Sequence, residues 1–574
     1  MKLAIAMSYT ALFCLVFTRH VGAQTTLPVP ASTATANIQP ASRPATIDEA
    51  IDRIILREQL EVAEIKKQTP IVQTYIQEIK LDKDSGTIPQ RDHYFLGQAR
   101  LGKSVEDDSM LSTYDGMPLK GALANTFRAQ AFLQMIYVDP HTEKFNRQNY
   151  KFDFVGREFL GEVRCVVFDV TPLPKTGNGR FRGRIYAEDQ DYTIVRFSGA
   201  YTPIDPGFVS MKFNTHFDSW RANVQPGSWL PSYIYLQEMN VKFALGGHER
   251  FKAVTNLWGY RLSAAHKEDE FASMTIETAT PLEDKSEVRD NSAVESRRAW
   301  NSEAEQNATE ALERSGILTP AGPVDKVLDT VVNNLEVTNG LDIDLHCRVA
   351  TFTTFELFSI GKMIVISRGL LDVIPDEATL ASILAQGIAD AMNPNPTVDQ
   401  YAFGDFARVQ PLEALRRYSF KEKPEDIKVA NENALQLLTN SPYKDKLDTA
   451  ALFLNQLNSE AKALSALISP RLGNSVYLGS GLTKMSSASL DAKKLDQITA
   501  LPIGGRIKMN PWDDSIEFLN TKPVPLFSSR EKMPFAVTPL QPYLTRYKVP
   551  AQTASTETSS LVGREKPTAQ GQAR

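Results

Sequence analysis

Lys362-Met363-Ile364-Val365-Ile366-Ser367-Arg368-Gly369-Leu370-Leu371, followed after Pro375-Asp376-Glu377 by Leu380-Ala381-Ser382-Ile383-Leu384-Ala385-Gln386-Gly387-Ile388-Ala389-Asp390, is the stretch on which the reading of this chain turns. The first part is apolar and β-branched and predicts a strand. Pro375, Asp376 and Glu377 open a helix that runs to Met392. Leu380, Ile383, Leu384, Gly387, Ile388 and Ala391 fall at helical spacing and predict its buried stripe. Gly387 in mid-helix costs about 1 kcal/mol relative to Ala. Its presence predicts close approach by a neighbouring element.

An apolar strand and an amphipathic helix occur in any α/β or α+β protein, but the wording of this pair is narrower. It resembles the zinc metallopeptidases typified by HtpX and the CAAX prenyl protease. There a strand ending in Gly-Leu-Leu precedes a helix of the form Leu-Ala-x-x-Leu-Ala-His-Glu-x-x-His. The resemblance covers residues 324–457 and implies a gluzincin-type fold with zinc held by two histidines and a later glutamate. At the matching positions this chain has Gln386 and Asp390 for the histidines, Gly387 for the general base and Ile427 for the third ligand. Asn431 stands where the family has an aspartate.

The chemistry of that loss follows from the side chains. Two His four apart on a helix reach one Zn²⁺, and a Glu beside them activates the bound water. Gln386 is a poor zinc ligand, Gly387 accepts no proton and Ile427 binds no metal. Beyond the N-terminal region the histidines are His93, His141, His216, His248, His266 and His346, with no pair at helical ligand spacing. The expectation is a pseudopeptidase with no catalytic residue, no metal and no cofactor. Zinc returns only in the alternative of a divergent endopeptidase using Asp390, Gln386 and a nearby Glu such as Glu432 or Glu377.

The N-terminus reads as a secretory signal peptide: Lys2, an apolar run from Leu3 to about Phe17, and Val21-Gly22-Ala23 as a small-residue cleavage site. No later stretch approaches the ~20 apolar residues that span a bilayer. An exported, periplasmic protein is expected. Of the three cysteines, Cys165 and Cys347 remain after cleavage, and two buried free thiols are preferred to a disulfide. A net charge of −5 with interspersed Lys and Arg excludes a nucleic-acid footprint, and 574 residues at 42% hydrophobic content allow two or three domains.

Working outward, Ile47, Ile51, Ile54, Ile55, Val62 and Ile65 mark an amphipathic helix capped by Thr46 or Asp48. From residue 71 to about 278 the period changes to that of short strands, expected at 94–101, 151–154, 163–171, 183–188, 193–199, 208–213, 232–238 and 251–262. Sequential strands with tight turns imply an antiparallel meander. Phe159-Leu160-Gly161-Glu162-Val163-Arg164-Cys165, Gly183 to Asp189 and Thr193-Ile194-Val195-Arg196 resemble the lipoprotein-sorting proteins LolA and LolB. That resemblance implies a half-open antiparallel barrel around an apolar cavity for acyl chains. Further helices are expected at 324–335, 375–392, 425–439 and 446–464, and two strands at 505–510 and 515–519 around Pro511-Trp512-Asp513-Asp514.

The whole is an α+β, multidomain chain with a barrel-like β domain and a mainly helical metallopeptidase-like domain. Its expected parts are a signal peptide at 1–23, a flexible tether at 24–44, the helix and β domain at 45–278, a linker or exposed helix at 279–312, the metallopeptidase-like domain at 313–500, a hairpin and extended arm at 501–548 and a disordered tail at 549–574. The expected partner is an envelope peptide or protein, paired with the strand that ends near Leu371. Alternatives are proteolysis at a divergent site and carriage of a lipid or lipoprotein, with neither nucleic acid nor a membrane span involved.

Overall fold

In the computed structural model the described residues are 44–82, 86–101, 106–107, 111–112, 132–177, 179–202, 215–242, 248–261, 293–392, 418–476, 481, 500–504, 506–519, 534–539 and 543–547. The expected signal peptide, nearly all of the tether, the strand at 208–213 and the C-terminal tail lie outside them. Helix α1, Ile47–Ile65, begins at Thr46, whose hydroxyl accepts from the Glu49 amide at 3.1 Å. Its buried side is Ile51, Ile54, Val62 and Ile65, whereas Ile47, expected inside, is exposed.

Eleven strands follow: β1 (Ile71–Asp82), β2 (Gly86–Arg100), β3 (Glu106–Asp107), β4 (Leu111–Ser112), β5 (Tyr150–Leu160), β6 (Val163–Pro172), β7 (Phe181–Glu188), β8 (Ile194–Tyr201), β9 (His216–Gln225), β10 (Ser228–Lys242) and β11 (His248–Trp258). They form one antiparallel sheet in the order β3-β2-β1-β11-β10-β9-β8-β7-β6-β5, with β4 also on β2. The run from β5 to β11 is the expected meander. The first hairpin then joins the last strand, β1 pairing with β11 from Ile71 opposite Trp258. Among the described residues β5 and β3 are the ends of this order and do not pair, so the sheet is not a closed barrel.

Alternation sends successive side chains to opposite faces. One face, carrying Ile76, Phe168, Phe181, Phe197, Phe217 and Ile234, packs on α1. Its interior also holds Arg221, which makes a two-pronged contact to Glu58 of α1 at 2.7 and 2.8 Å with both side chains fully enclosed.

The other face, carrying Tyr75, Tyr94, Val167, Trp220, Tyr233 and Trp258, shares a core with the C-terminal half. That half contains α2 (Ala293–Arg314), α3 (Pro323–Asn339), β12 (His346–Ala350), β13 (Leu357–Ile360), β14 (Met363–Ser367), α4 (Arg368–Val373), α5 (Glu377–Met392), α6 (Pro424–Thr439), α7 (Leu447–Glu460), α8 (Ser465–Ile468), β15 (Ile507–Met509) and β16 (Ile516–Phe518). Helix α2 covers part of the segment expected as linker or exposed helix, and Ala304, Ala308, Ala311 and Leu312 on it are buried.

Polar clasps from the sheet fix this half in place. Gln73 of β1 bonds Thr353, Gln77 donates to the Phe535 carbonyl and accepts from the Val537 amide, and Asp92 of β2 accepts from the amides of Ala466 and Leu467. Trp258 is buried and donates to the Gly316 carbonyl at 3.0 Å, a packing role. Cys165 and Cys347 are both free and buried. The fold is α+β, and no described helix is long and apolar enough to cross a membrane.

Candidate functional site

The strand and the long helix form where the pattern predicts, but β14 stops at Ser367, so Arg368, Gly369, Leu370 and Leu371, expected in the strand, turn into the short helix α4, and α5 starts at Glu377. β14 leads into α4, Ser367 caps α4 by accepting from the Leu370 amide, and α5 follows. Gly369 lies against the Thr353 backbone, where a Cβ would come within 1.8 Å of its carbonyl oxygen. Gly387 faces β14, and a Cβ there would sit 2.6 Å from Ile364 Cγ2. The glycine at the base position therefore serves the contact between helix and sheet.

Gln386 and Asp390 are both buried, one turn apart on α5, each with 7% of its surface exposed. The Gln386 amide nitrogen is enclosed without a partner. Asp390 bonds the side chain of Asn474 and faces Glu422, which stands just before α6. Burial first, and the nearby Glu422 second, push the Asp390 carboxyl up to about 8. Burial, then Asp426, push Glu422 up to about 7. Asn474 ties the pair together, since its carbonyl oxygen also accepts from the Glu422 amide at 3.0 Å.

Ile427 is half-buried in the first turn of α6 and brings no polar atom. Neither glutamate named for a divergent site joins Asp390: Glu377 accepts from the Tyr443 hydroxyl at 2.8 Å, and Glu432 is exposed. The carboxylate that does approach is Glu422, which no sequence spacing marks. Among the described residues no group of three or more His, Cys, Asp or Glu is placed to hold a metal ion. Two carboxyls with raised pKa hold a proton near neutrality, but neither is paired with a nucleophile.

The strand expected to receive a peptide is not free to do so. β14 is the middle of a three-stranded sheet, parallel to β12 and antiparallel to β13. β13 is flanked by the chain itself, with the Asn474 amide donating to the Leu357 carbonyl at 3.3 Å. Gly473 sits so close that a Cβ would meet Leu357 O at 2.1 Å. Sequence pattern revealed the strand but not its neighbours.

Among the described residues an open edge exists instead on the large sheet. β5 is eleven residues long, pairs on one side with β6, and ends the strand order among the described residues. Phe154, Val155 and Phe159 on it are 46%, 42% and 69% exposed. Val155 is the extra residue of a bulge, because Phe154 opposes Phe168 while Gly156 opposes Val167. The register puts Phe154, Arg157 and Phe159 on one face, opposite Phe168, Val166 and Arg164. Edge strands are ordinarily short, or guarded by inward charges. This one is long and carries both the bulge and the exposed charges Lys151, Asp153, Arg157 and Glu158, with Phe154, Val155 and Phe159 exposed among them.

No protein-family model matches the chain, and no curated protein matches it. Among solved structures it is similar to a DUF1329 family protein from Desulfovibrio piger, at 9% identity over 37% of this chain and 90% of that one, with a TM-score of 0.18. It is also similar to MucB in complex with MucA(peri), at 9% identity over 36% of this chain and 93% of that one (TM-score 0.13). The MucA/MucB complex of Pseudomonas aeruginosa gives 10% identity, 36% and 94% coverage and a TM-score of 0.14. At such scores these likenesses carry no argument about this chain.

Proposed function

We propose that the chain is an exported, non-catalytic relative of the HtpX-like metallopeptidases that binds an envelope peptide or protein, taking an extended segment as an added strand along β5. The observation that carries the reading is the eleven-residue edge of β5, unpaired on one side among the described residues, with Phe154 and Phe159 exposed on one face. Strand addition supplies backbone hydrogen bonds along the edge, and alternate side chains of the guest meet the two rings. The pseudopeptidase part is supported by Gly387 packed on Ile364 and by Gln386, Asp390 and Ile427 in place of ligands.

Proteolysis at a divergent site lacks a base at Gly387, and among the described residues no three His, Cys, Asp or Glu are grouped to hold a metal ion. Lipid carriage by the sheet has less support, because its α1 side is filled by Phe168, Phe181, Phe197 and Phe217 and by the Arg221 and Glu58 pair. The test is fluorescence anisotropy of alternating apolar and polar peptides selected on the purified protein from a displayed library. Binding should fall at least tenfold in Phe159→Asp and in Val155→Pro. Equal binding by both variants would overturn the reading, as would casein cleavage that disappears in Asp390→Ala.

A further inference from the structure

Between the sheet and the C-terminal half lies a half-enclosed cavity of about 80 Å³, which uses the residue just before Gly369 in the strand-to-helix motif. Its walls include Tyr233 and Val254 from the sheet, Ile507 and Met509 from β15, and Arg368 of α4. By the space one enclosed water needs, it has room for roughly six waters, or for a short organic molecule.

Arg368 is the unusual element. It is 93% removed from solvent by its 7% exposure, yet its Nε has no partner, and its Nη2 makes a long contact of 3.4 Å to the Thr353 hydroxyl. Asp372, one turn on and also on the wall, lies near enough to interact electrostatically with Arg368 but forms no salt bridge with it, and its Oδ1 accepts from the amides of Arg506 and Ile507 at 3.1 Å, so the Arg368 Nε stays without a hydrogen-bond acceptor. Lys508, also on the wall, is occupied by Glu517 at 3.3 Å and Thr545 at 3.2 Å. A buried guanidinium donor left unmatched is costly, and a carboxylate is the group whose geometry it fits.

We propose that this cavity binds a small organic carboxylate, its charged end on Arg368 and its short apolar body against Tyr233, Val254, Ile507 and Met509. The inference does not depend on strand capture at β5. The probe is butyrate, compared with its neutral near-isostere butyramide, titrated calorimetrically into the full chain. Butyrate should bind with a Kd on the order of 1 mM and butyramide at least about tenfold more weakly, as expected for a charge-assisted contact.

Arg368→Gln should remove the preference for the anion. Met509→Trp, which fills the cavity while leaving the Arg368 charge in place, should abolish binding while the circular dichroism spectrum stays native. It also decides the matter if Arg368→Gln does not fold. Equal binding of the two probes, no butyrate heat at about 10 mM, or undiminished binding by folded Met509→Trp would each overturn the proposal.

Discussion

Replacing Asp390 by Asn should make the protein more stable at high pH and leave it unchanged at low pH. The native carboxyl is lifted from 3.8 to about 8, first by burial and then by Glu422, so between those values the folded chain holds a proton that the unfolded chain has released. Stability therefore falls as pH rises through that window, by about 1.4 kcal/mol per unit for a fully expressed shift. About four units would give on the order of 6 kcal/mol, an upper bound, because part of the lift is shared with Glu422 and water relaxes around a buried charge. An effect near 3 kcal/mol at pH 9 is the expected outcome. Asn keeps the shape, still accepts from the Asn474 side chain and never ionises. Urea denaturation of native and Asp390→Asn protein at pH 5 and pH 9 measures it. A difference that does not grow from pH 5 to pH 9 refutes the account of this cluster.

Glu58→Ala should cost about 3–5 kcal/mol in urea denaturation, because Arg221 would be left charged and enclosed. Replacing both partners by Leu and Met should cost far less. Gly387→Ala should destabilise by about 1–3 kcal/mol despite the better helix propensity, since the new Cβ meets Ile364 Cγ2 at 2.6 Å. Adding Ile364→Ala should cost less than the sum of the two single changes. The thiol reagent DTNB should leave Cys165 and Cys347 unmodified in the folded protein and react with both after unfolding. Burial excludes it and pushes the Cys165 thiol up to about 12, with Cys347 also raised.

The residues that showed themselves in the sequence are those whose neighbours are local. The 3.6-residue stripes of α1, α3 and α5 and the alternation of β6, β7, β8 and β10 were legible, as was the hairpin of β15 and β16. β1 and β9 were not picked out as strands, and each carries buried polar groups that blur the alternation. Gln73 and Gln77 of β1 clasp Thr353, Phe535 and Val537, while Ser219 and Arg221 of β9 are buried and Arg221 reaches α1.

The central place of β14 depends on parallel pairing with β12, which no local pattern reports. Gln386 and Asp390 were legible by their spacing as neighbours one turn apart on one helix. Glu422 was not, because it lies 32 residues beyond Asp390 in the chain and meets it through the packing of α6 on α5. β5 was expected to be only four residues long, since the Gly156 bulge hides its second half.

The central claim, strand capture by the edge of the large sheet, is tested most directly by amide hydrogen exchange along Tyr150–Leu160 with and without a library-selected peptide. The account predicts slowed exchange concentrated on β5 and little change on α5 or α6. Protection that spares β5 and appears beside Gln386 and Asp390 would contradict it.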